Sequence, residues 1–243
     1  MSEQSSATDT MSEQLLEIRY RPNPRVIDFR GTWAQQISEY MNLSEWRIIQ
    51  DRIDVNDKPE LIRAFVGFRN AGLIVRNATT DNYFSDQARK LFRFLFESYK
   101  DDFGVKIHVE RFGVRSKTIV PFDGDMRELV KRYSSKYMQL TPGAALSIGA
   151  EIVDIGGPVN FKDEFGTFNT TSGPVTQAEG ERLLTFKELK DSSYPKVGLY
   201  VDVDYWRTPH DFYSKSEVLD LIRTFTTQTL VRQKQICELV LGD

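Results

Sequence analysis

The sequence predicts an α+β protein with two mainly antiparallel sheet units, packed helices and a long C-terminal helix. Residues 198–206 alternate apolar and polar side chains, which is typical of a strand with one buried face. The closing segment 214–241 repeats apolar residues at helical spacing, and Ser214 and Glu217 have the spacing of a capping box. Short turn-like connections between the other strands favour antiparallel pairing.

The same patterns place elements along the whole chain. Alternating residues at 16–20 predict a first strand, and the apolar stripe of 84–99 predicts an aromatic helix buried on more than one side. At Gly113 the in/out alternation slips, which indicates a bulge. The predicted order is β-α-β-β-β-α-β, then α-β-β-β-β-α. Further strands are expected at 46–55, 62–68, 73–76, 105–120, 146–155, 161–168 and 183–186, and further helices at 33–41 and 126–138.

Domain organisation follows from composition along the chain. Residues 1–13 are mostly polar and predict a disordered tail. An N-terminal α+β unit is expected over 14–122 and a C-terminal α+β unit over 123–243. The two units can also form one continuous domain.

Overall composition limits the class of protein. With 40% hydrophobic and 28% charged residues, the chain has ordinary globular composition. It contains no apolar run of the roughly 18 residues that span a bilayer, and its N-terminus lacks the apolar region of a secretory signal. We therefore expect a cytoplasmic protein without membrane association. The single Cys237 excludes an intramolecular disulfide and a multi-cysteine zinc site.

Three stretches together resemble a known family. Residues 13–20 are similar to its opening strand, in which an acidic residue precedes an apolar run ending in Ile-Arg-aromatic. Residues 111–115 resemble its central Arg-x-Gly-Leu-Arg motif, and residues 201–205 with the following helix resemble its closing Leu-Asp-Ile-Asp stretch. The family is the TIGR04255 family, sporadically distributed bacterial proteins of similar length. Residues 116–120 depart from the Tyr-Ile-Asn-Arg-Ile that usually follows the central motif, so any site using that asparagine is missing.

The resemblance implies fold and length, because the family has no established activity. Its sporadic distribution favours an interaction or regulatory protein in bacterial stress or defence. No cofactor is implied.

Paired aspartates are the first candidate site. Asp202 and Asp204 share one face of the predicted strand, and His210 and Asp211 follow closely. Two carboxylates and an imidazole can hold Mg²⁺, Mn²⁺ or Zn²⁺, as a metal-dependent hydrolase requires. The alternative is the wet face of an antiparallel sheet, with ion pairs to basic residues.

A second candidate is catalytic. His108 and Glu110 share a strand face, and Asp123 and Asp125 follow, so general acid–base chemistry is one interpretation. Because Val105, Ile107 and Val109 supply the core face, the pair can equally be an outward surface.

A local concentration of basic residues is the third candidate. It could bind an anion or nucleic acid, with Tyr133 and Tyr137 as stacking residues, or it could be a solvated face. The net charge of −3 does not favour nucleic acid. The anion-binding candidates are Arg111, Arg115, Lys117, Lys131 and Arg132.

Two further interpretations concern the helices. The aromatic helix and the closing helix can wrap a sheet and enclose a cavity for a small apolar ligand, or pack as a plain core. A second, mixed stripe on the closing helix can pair with another copy of the chain; it comprises Leu219, Ile222, Thr226, Leu230, Gln233 and Cys237.

The sequence thus favours a non-enzymatic interaction or regulatory protein with a protein partner or a homo-oligomeric state. The alternatives are a metal-dependent hydrolase using Asp202, Asp204 and His210, and a small apolar-ligand binder.

Overall fold

A computed structural model describes residues 10–78, 80, 82–139, 152–184, 194–208 and 213–242. These residues form strands and helices that we number in chain order. The strands are β1 Met11–Tyr20, β2 Glu45–Ile48, β3 Arg52–Asn56, β4 Ile62–Gly67, β5 Asn70–Arg76, β6 Val109–Pro121, β7 Gly157–Lys162, β8 Thr167–Thr176 and β9 Val197–Arg207. The helices are α1 Arg25–Asp28, α2 Arg30–Met41, α3 Tyr83–Phe103, α4 Met126–Lys136, α5 Gln177–Leu183 and α6 Lys215–Leu241.

The nine strands belong to one antiparallel sheet with the order β2-β3-β4-β5-β1-β6-β9-β8-β7. Strand β6 pairs along most of its length with β1 on one side and with β9 on the other. The predicted α+β class, antiparallel pairing and long C-terminal helix are therefore confirmed. The structure shows a single sheet, however, and not the two sheet units that were predicted. The reason is that β1 and β6 pair with each other and join the two parts of the chain.

Most helices lie in one layer. Helices α2, α3, α6 and α4 contact one another in that order and cover one side of the sheet, which we call the helix face. The opposite side, the open face, carries α5 near β8 and β9, where Gly180 approaches the side chain of Ile119. None of the described helices is long and apolar enough to cross a membrane.

Strand β9 and helix α6 form as the sequence predicts. Leu199, Val201 and Val203 alternate along β9 and are fully buried on the helix face. At the start of α6 the Ser214 hydroxyl accepts the Glu217 N–H at 3.3 Å, and the Glu217 carboxylate accepts the Ser214 N–H at 2.7 Å. These reciprocal bonds are the predicted capping box, and they begin a helix about 40 Å long.

Aromatic side chains fill much of the core between the layers. Trp33 of α2 lies 5.2 Å from Phe103 and 5.7 Å from Tyr99, measured between ring centroids. On the other side of the core, Phe225 of α6 packs edge-to-face on Phe112, with centroids 5.2 Å apart. The predicted stripe of α3 is buried throughout, namely Phe84, Ala88, Leu91, Phe92, Leu95 and Tyr99.

The predicted strand at 46–55 is a hairpin instead. Strand β2 ends at Ile48 and β3 begins at Arg52. The alternation of apolar and polar residues breaks at Ile48 and Ile49, and this is where the chain turns. Residues 11–13 of the predicted tail belong to β1, which begins at Met11, and residues 1–9 lie outside the described part.

The predicted bulge does not lie at Gly113. The register between β1 and β6 shifts where Arg19 faces Arg111 and Tyr20 faces Val109, so the extra residue is Glu110. Gly113 stays in register, and a Cβ atom there would lie 3.6 Å from Cβ of Trp206.

Two predicted strands differ at the C-terminal end. The strand predicted at 183–186 begins inside helix α5, which ends at Leu183, and residues 185 and 186 lie outside the described part. A capping box between Thr176 and Glu179 starts that helix. Of the strand predicted at 146–155, residues 146–151 lie outside the described part and 152–155 are not a strand.

Half of the second stripe of α6 is buried. Ile222, Thr226 and Gln233 are buried against the rest of the protein. The stripe is therefore not a free surface for pairing with a second copy, because α6 lies flat on β6 and β9.

Candidate functional site

The aspartates of β9 lie on the open face, and Asp202 is paired with Arg115 of β6. Arg115 donates from Nε to Oδ1 at 2.9 Å and from Nη2 to Oδ2 at 2.5 Å. Tyr200 donates its hydroxyl to the same carboxylate at 3.2 Å. The Asp202 side chain is 5% exposed and that of Arg115 is 41% exposed. Its bond to Asp202 raises the pKa of Arg115 above its ordinary value.

The second aspartate, Asp204, stands opposite Arg115 in the ladder between β6 and β9. Burial raises its pKa above the ordinary value, although the nearby Arg115 and Arg111 act in the opposite direction. No group of three potential metal ligands occurs among the described residues. His210 and Asp211 lie outside them, so the predicted metal site stays a prediction. A divalent ion at Asp202 would have to compete with a guanidinium that is already bound.

A second set of charges crosses the open face beside this pair. Glu13 of β1 accepts from Lys117 at 3.0 Å and from Arg76 at 3.1 Å. Burial by itself raises the pKa of Glu13, but the two cations outweigh it and hold the pKa below its ordinary value. Lys117 is therefore engaged within the protein.

The predicted acid–base residues lie at opposite ends of β6. His108 precedes the strand and Glu110 forms a 3.8 Å ion pair with Arg21. Asp123 and Asp125 follow the other end, about 40 Å away along an extended strand of this length. Asp125 accepts the Glu128 N–H at 2.8 Å and caps α4. The structure does not bring these four residues together.

The predicted basic cluster is divided by the sheet. Arg111, Arg115 and Lys117 lie on the open face, whereas Lys131 and Arg132 belong to α4 on the helix face. The predicted stacking residues are also internal. Tyr133 is fully buried and donates to the Ser172 carbonyl at 2.8 Å, and Tyr137 bonds the Thr170 hydroxyl at 3.1 Å. One continuous anion-binding surface is therefore not formed by these residues.

Edge strand β2 is a candidate that the sequence analysis missed. Trp46 is 52% exposed and Ile48 is 43% exposed, and Ile49 in the following turn is exposed as well. Both strand residues lie on the helix face, opposite Val55 and Ile53 of β3. The signal was present in the sequence as two large apolar residues on a short charged strand, but only the sheet order shows that this strand is an edge.

A cavity on the helix face is another candidate site, whose lining residues the sequence analysis did not identify. It lies between the start of α3, the later part of α6 and the end of β6, and its volume is about 570 Å³. The sequence analysis gave a ligand cavity between these two helices as one alternative, and this cavity lies at that place. Its lining combines apolar side chains with hydroxyls and two cations.

The fold defines the protein as an α+β protein with one helix layer on a large antiparallel sheet. Comparison with family models gives no match, and comparison with curated proteins gives none either. Among solved structures, the chain is similar to a rolling circle replication initiator protein from Geobacillus stearothermophilus, with a TM-score of 0.33 and 9% identity over 93% of this chain and 85% of that one. Similarity at this level identifies neither a family nor a function.

Proposed function

We propose that this chain is a non-enzymatic interaction protein whose partner is a second copy of itself, joined through β2. The exposure of Trp46 and Ile48 on an edge strand supports this proposal. Edge strands commonly carry proline, lysine or a covering segment that prevents pairing. The other edge, β7, contains Pro158 and Lys162, whereas β2 contains neither residue type.

The backbone N–H and C=O groups of Trp46 and Ile48 have the direction that such pairing requires. Ile49 donates its N–H to the Arg52 carbonyl at 3.0 Å. Hydrogen-bonded and non-hydrogen-bonded residue pairs alternate along an antiparallel ladder. Arg47, two residues before Ile49, is therefore also hydrogen-bonded to β3. Trp46 and Ile48 then direct their N–H and C=O groups away from β3, towards the free edge.

The charges of β2 select one register for a symmetric pair. Residues that face each other in the paired strands must lie on the same sheet face, and neighbours along a strand lie on opposite faces. The two-fold axis therefore passes between one residue and the same residue of the other copy. An axis at Glu45 would oppose two carboxylates, and an axis at Arg47 would oppose two guanidiniums. An axis at Ile48 would place Arg47 of each copy opposite Ile49 of the other and pair no opposite charges. An axis at Trp46 places Glu45 of each copy opposite Arg47 of the other and brings the two indoles together. We therefore propose pairing centred on Trp46.

Charge reversal tests this register. Glu45→Arg and Arg47→Glu each convert two attractive contacts into repulsive ones, so we expect either variant to weaken dimerisation about tenfold or more. The double variant Glu45→Arg/Arg47→Glu restores opposite charges and is expected to dimerise like the wild type. Sedimentation velocity over a concentration series measures the dissociation constants.

Lys162→Glu, a charge reversal on the other edge strand, is the matched control and should leave dimerisation unchanged. A wild-type chain that stays monomeric at its highest soluble concentration would refute the proposal. A double variant as weak as the single variants would refute the register.

The alternative of a metal-dependent hydrolase has less support. The Asp202 carboxylate already receives Arg115 and Tyr200, and these bonds account for a buried aspartate without a metal. A role in bacterial stress or defence, and membership of the family that the sequence resembles, stay predictions. The alternative of a small-ligand binder is favoured by the cavity between α3 and α6.

A further inference from the structure

The cavity on the helix face has the size of a small-molecule site. Its volume of about 570 Å³ falls within the range of roughly 300–1,000 Å³ that is common for ligand pockets. It follows α6 from Arg223 to Cys237, and the start of α3 closes one side. Leu230 and Val231 lie midway along it. Because burial raises the pKa of the Cys237 thiol to about 11, this side chain is neutral and adds to the apolar wall.

One polar group in the wall has no partner. The Thr226 side chain is 3% exposed, and its hydroxyl makes no hydrogen bond with any described residue. The neighbouring hydroxyls of the cavity are bonded, since Ser85 donates to Asn82 O at 2.9 Å and Thr118 donates to Met11 O at 2.9 Å. A buried hydroxyl without a partner is unfavourable, but this oxygen is closed off from the cavity as well as from solvent, so a ligand in the cavity does not reach it.

The charge around the cavity is positive. Arg223 and Lys234 belong to the lining, and no described acidic residue does. Lys234 forms a 3.6 Å ion pair with Glu238 outside the cavity, whereas Arg223 has no ion pair with the described residues. Asn82, the residue that precedes α3, also lines the cavity, and the positive end of a 21-residue helix adds to the potential.

We infer that this cavity binds a single-chain amphiphile with an anionic head group. The head accepts hydrogen bonds from the Arg223 guanidinium. The apolar chain follows α6 past Leu230 towards Cys237, a path of about 16 Å between Thr226 and Cys237. This inference is independent of dimerisation through β2, because the cavity and β2 involve different residues.

The single cysteine provides a direct test in the full-length chain. Cys237 is the only cysteine and lines the cavity, so its rate of modification by N-ethylmaleimide reports whether the cavity is occupied. Mass spectrometry follows the modification in the presence of decanoate, decanol, decyltrimethylammonium or acetate. We expect decanoate at ten times its dissociation constant to slow the reaction about tenfold. Decanol should protect Cys237 less than decanoate does. Decyltrimethylammonium, which is cationic, and acetate, which has no long apolar chain, should not protect it.

Matched variants locate the head and the chain. Arg223→Gln removes an exposed charge and is expected to weaken decanoate binding about tenfold without changing the binding of decanol. Thr226→Val keeps the side-chain shape and should leave decanoate binding unchanged, because the Thr226 hydroxyl is closed off from the cavity. Leu230→Trp fills the cavity and should abolish protection by both probes, with circular dichroism as the check on folding. Lys106→Gln, beyond the far end of α3, is the control and should behave like the wild type.

Three results would overturn the inference. The first is equal protection by decanoate and decanol, which would mean that no anionic head is recognised. The second is no protection by any probe. The third is unchanged decanoate binding in Arg223→Gln, which is an exposed position that the fold tolerates.

Discussion

At the scale of single residues, the charged side chains of the open face bind one another. Arg115 holds Asp202 with three hydrogen bonds from Nε and Nη2, and Glu13 lies between Lys117 and Arg76. The sequence analysis treated Asp202 and Arg115 as members of two different sites. Adjacent strands make them partners: Asp202 lies diagonally across the ladder from Arg115, about 7–8 Å away, and the long arginine side chain spans that distance.

Glu13 leads to a prediction about pH. Its pKa in the folded chain lies below the ordinary value of 4.5, so its contacts contribute stability above about pH 4.5 and lose it as the pH falls through the folded value. We expect Glu13→Gln to lower the free energy of unfolding by about 1–3 kcal/mol near pH 7, and the difference from wild type to shrink towards pH 3. Urea unfolding across this range measures it.

The control is Glu164→Gln, which changes an exposed carboxylate in the turn after β7. It should leave the free energy of unfolding close to wild type at each pH. A Glu13→Gln difference that grows as the pH falls would contradict the assignment of its partners.

At the scale of elements, the ends of helices are determined by nearby residues. The capping box at Ser214 and Glu217 begins α6, and a second one at Thr176 and Glu179 begins α5. Both spacings are visible in the sequence, but only the first was recognised. The second lies between the strands predicted at 161–168 and 183–186, where no helix was predicted.

The cap of α6 can be tested alone. Ser214→Ala removes the acceptor of the Glu217 N–H and is expected to lower the free energy of unfolding by about 1 kcal/mol. Ser44→Ala makes the same change at an exposed position before β2 and should stay within about 0.5 kcal/mol of wild type. Chemical unfolding followed by circular dichroism distinguishes them. Equal effects of the two changes would show that the cap contributes nothing.

At the scale of the whole molecule, β6 connects the two parts of the chain. The domain boundary predicted at residues 122 and 123 falls directly after β6, yet this strand pairs with β1 before the boundary and with β9 after it. Helix α6 packs across β6 and β9 and contacts α3 as well. Separation of the two parts would expose both the ladder and the core beneath it, so we expect them to unfold together.

Tryptophan fluorescence tests this cooperativity. Trp33 reports from α2 and Trp206 from β9, so one variant keeps only Trp33 and a second keeps only Trp206, with phenylalanine at the other positions. In each variant the fluorescence and circular dichroism transitions in urea should share one midpoint. Separate midpoints in either variant would indicate two independently unfolding domains.

The sequence by itself determined the local structure of much of this chain. The alternation in β9, the stripe of α3 and the capping box of α6 follow from periodicity and from contacts between residues only a few positions apart. Only the tertiary structure decided that one sheet is formed, that Asp202 meets Arg115, that β2 is an edge, and that Arg223 and Thr226 share a cavity. Each of these depends on which distant strands and helices become neighbours. The spacing of apolar residues within one segment carries no information about its neighbours.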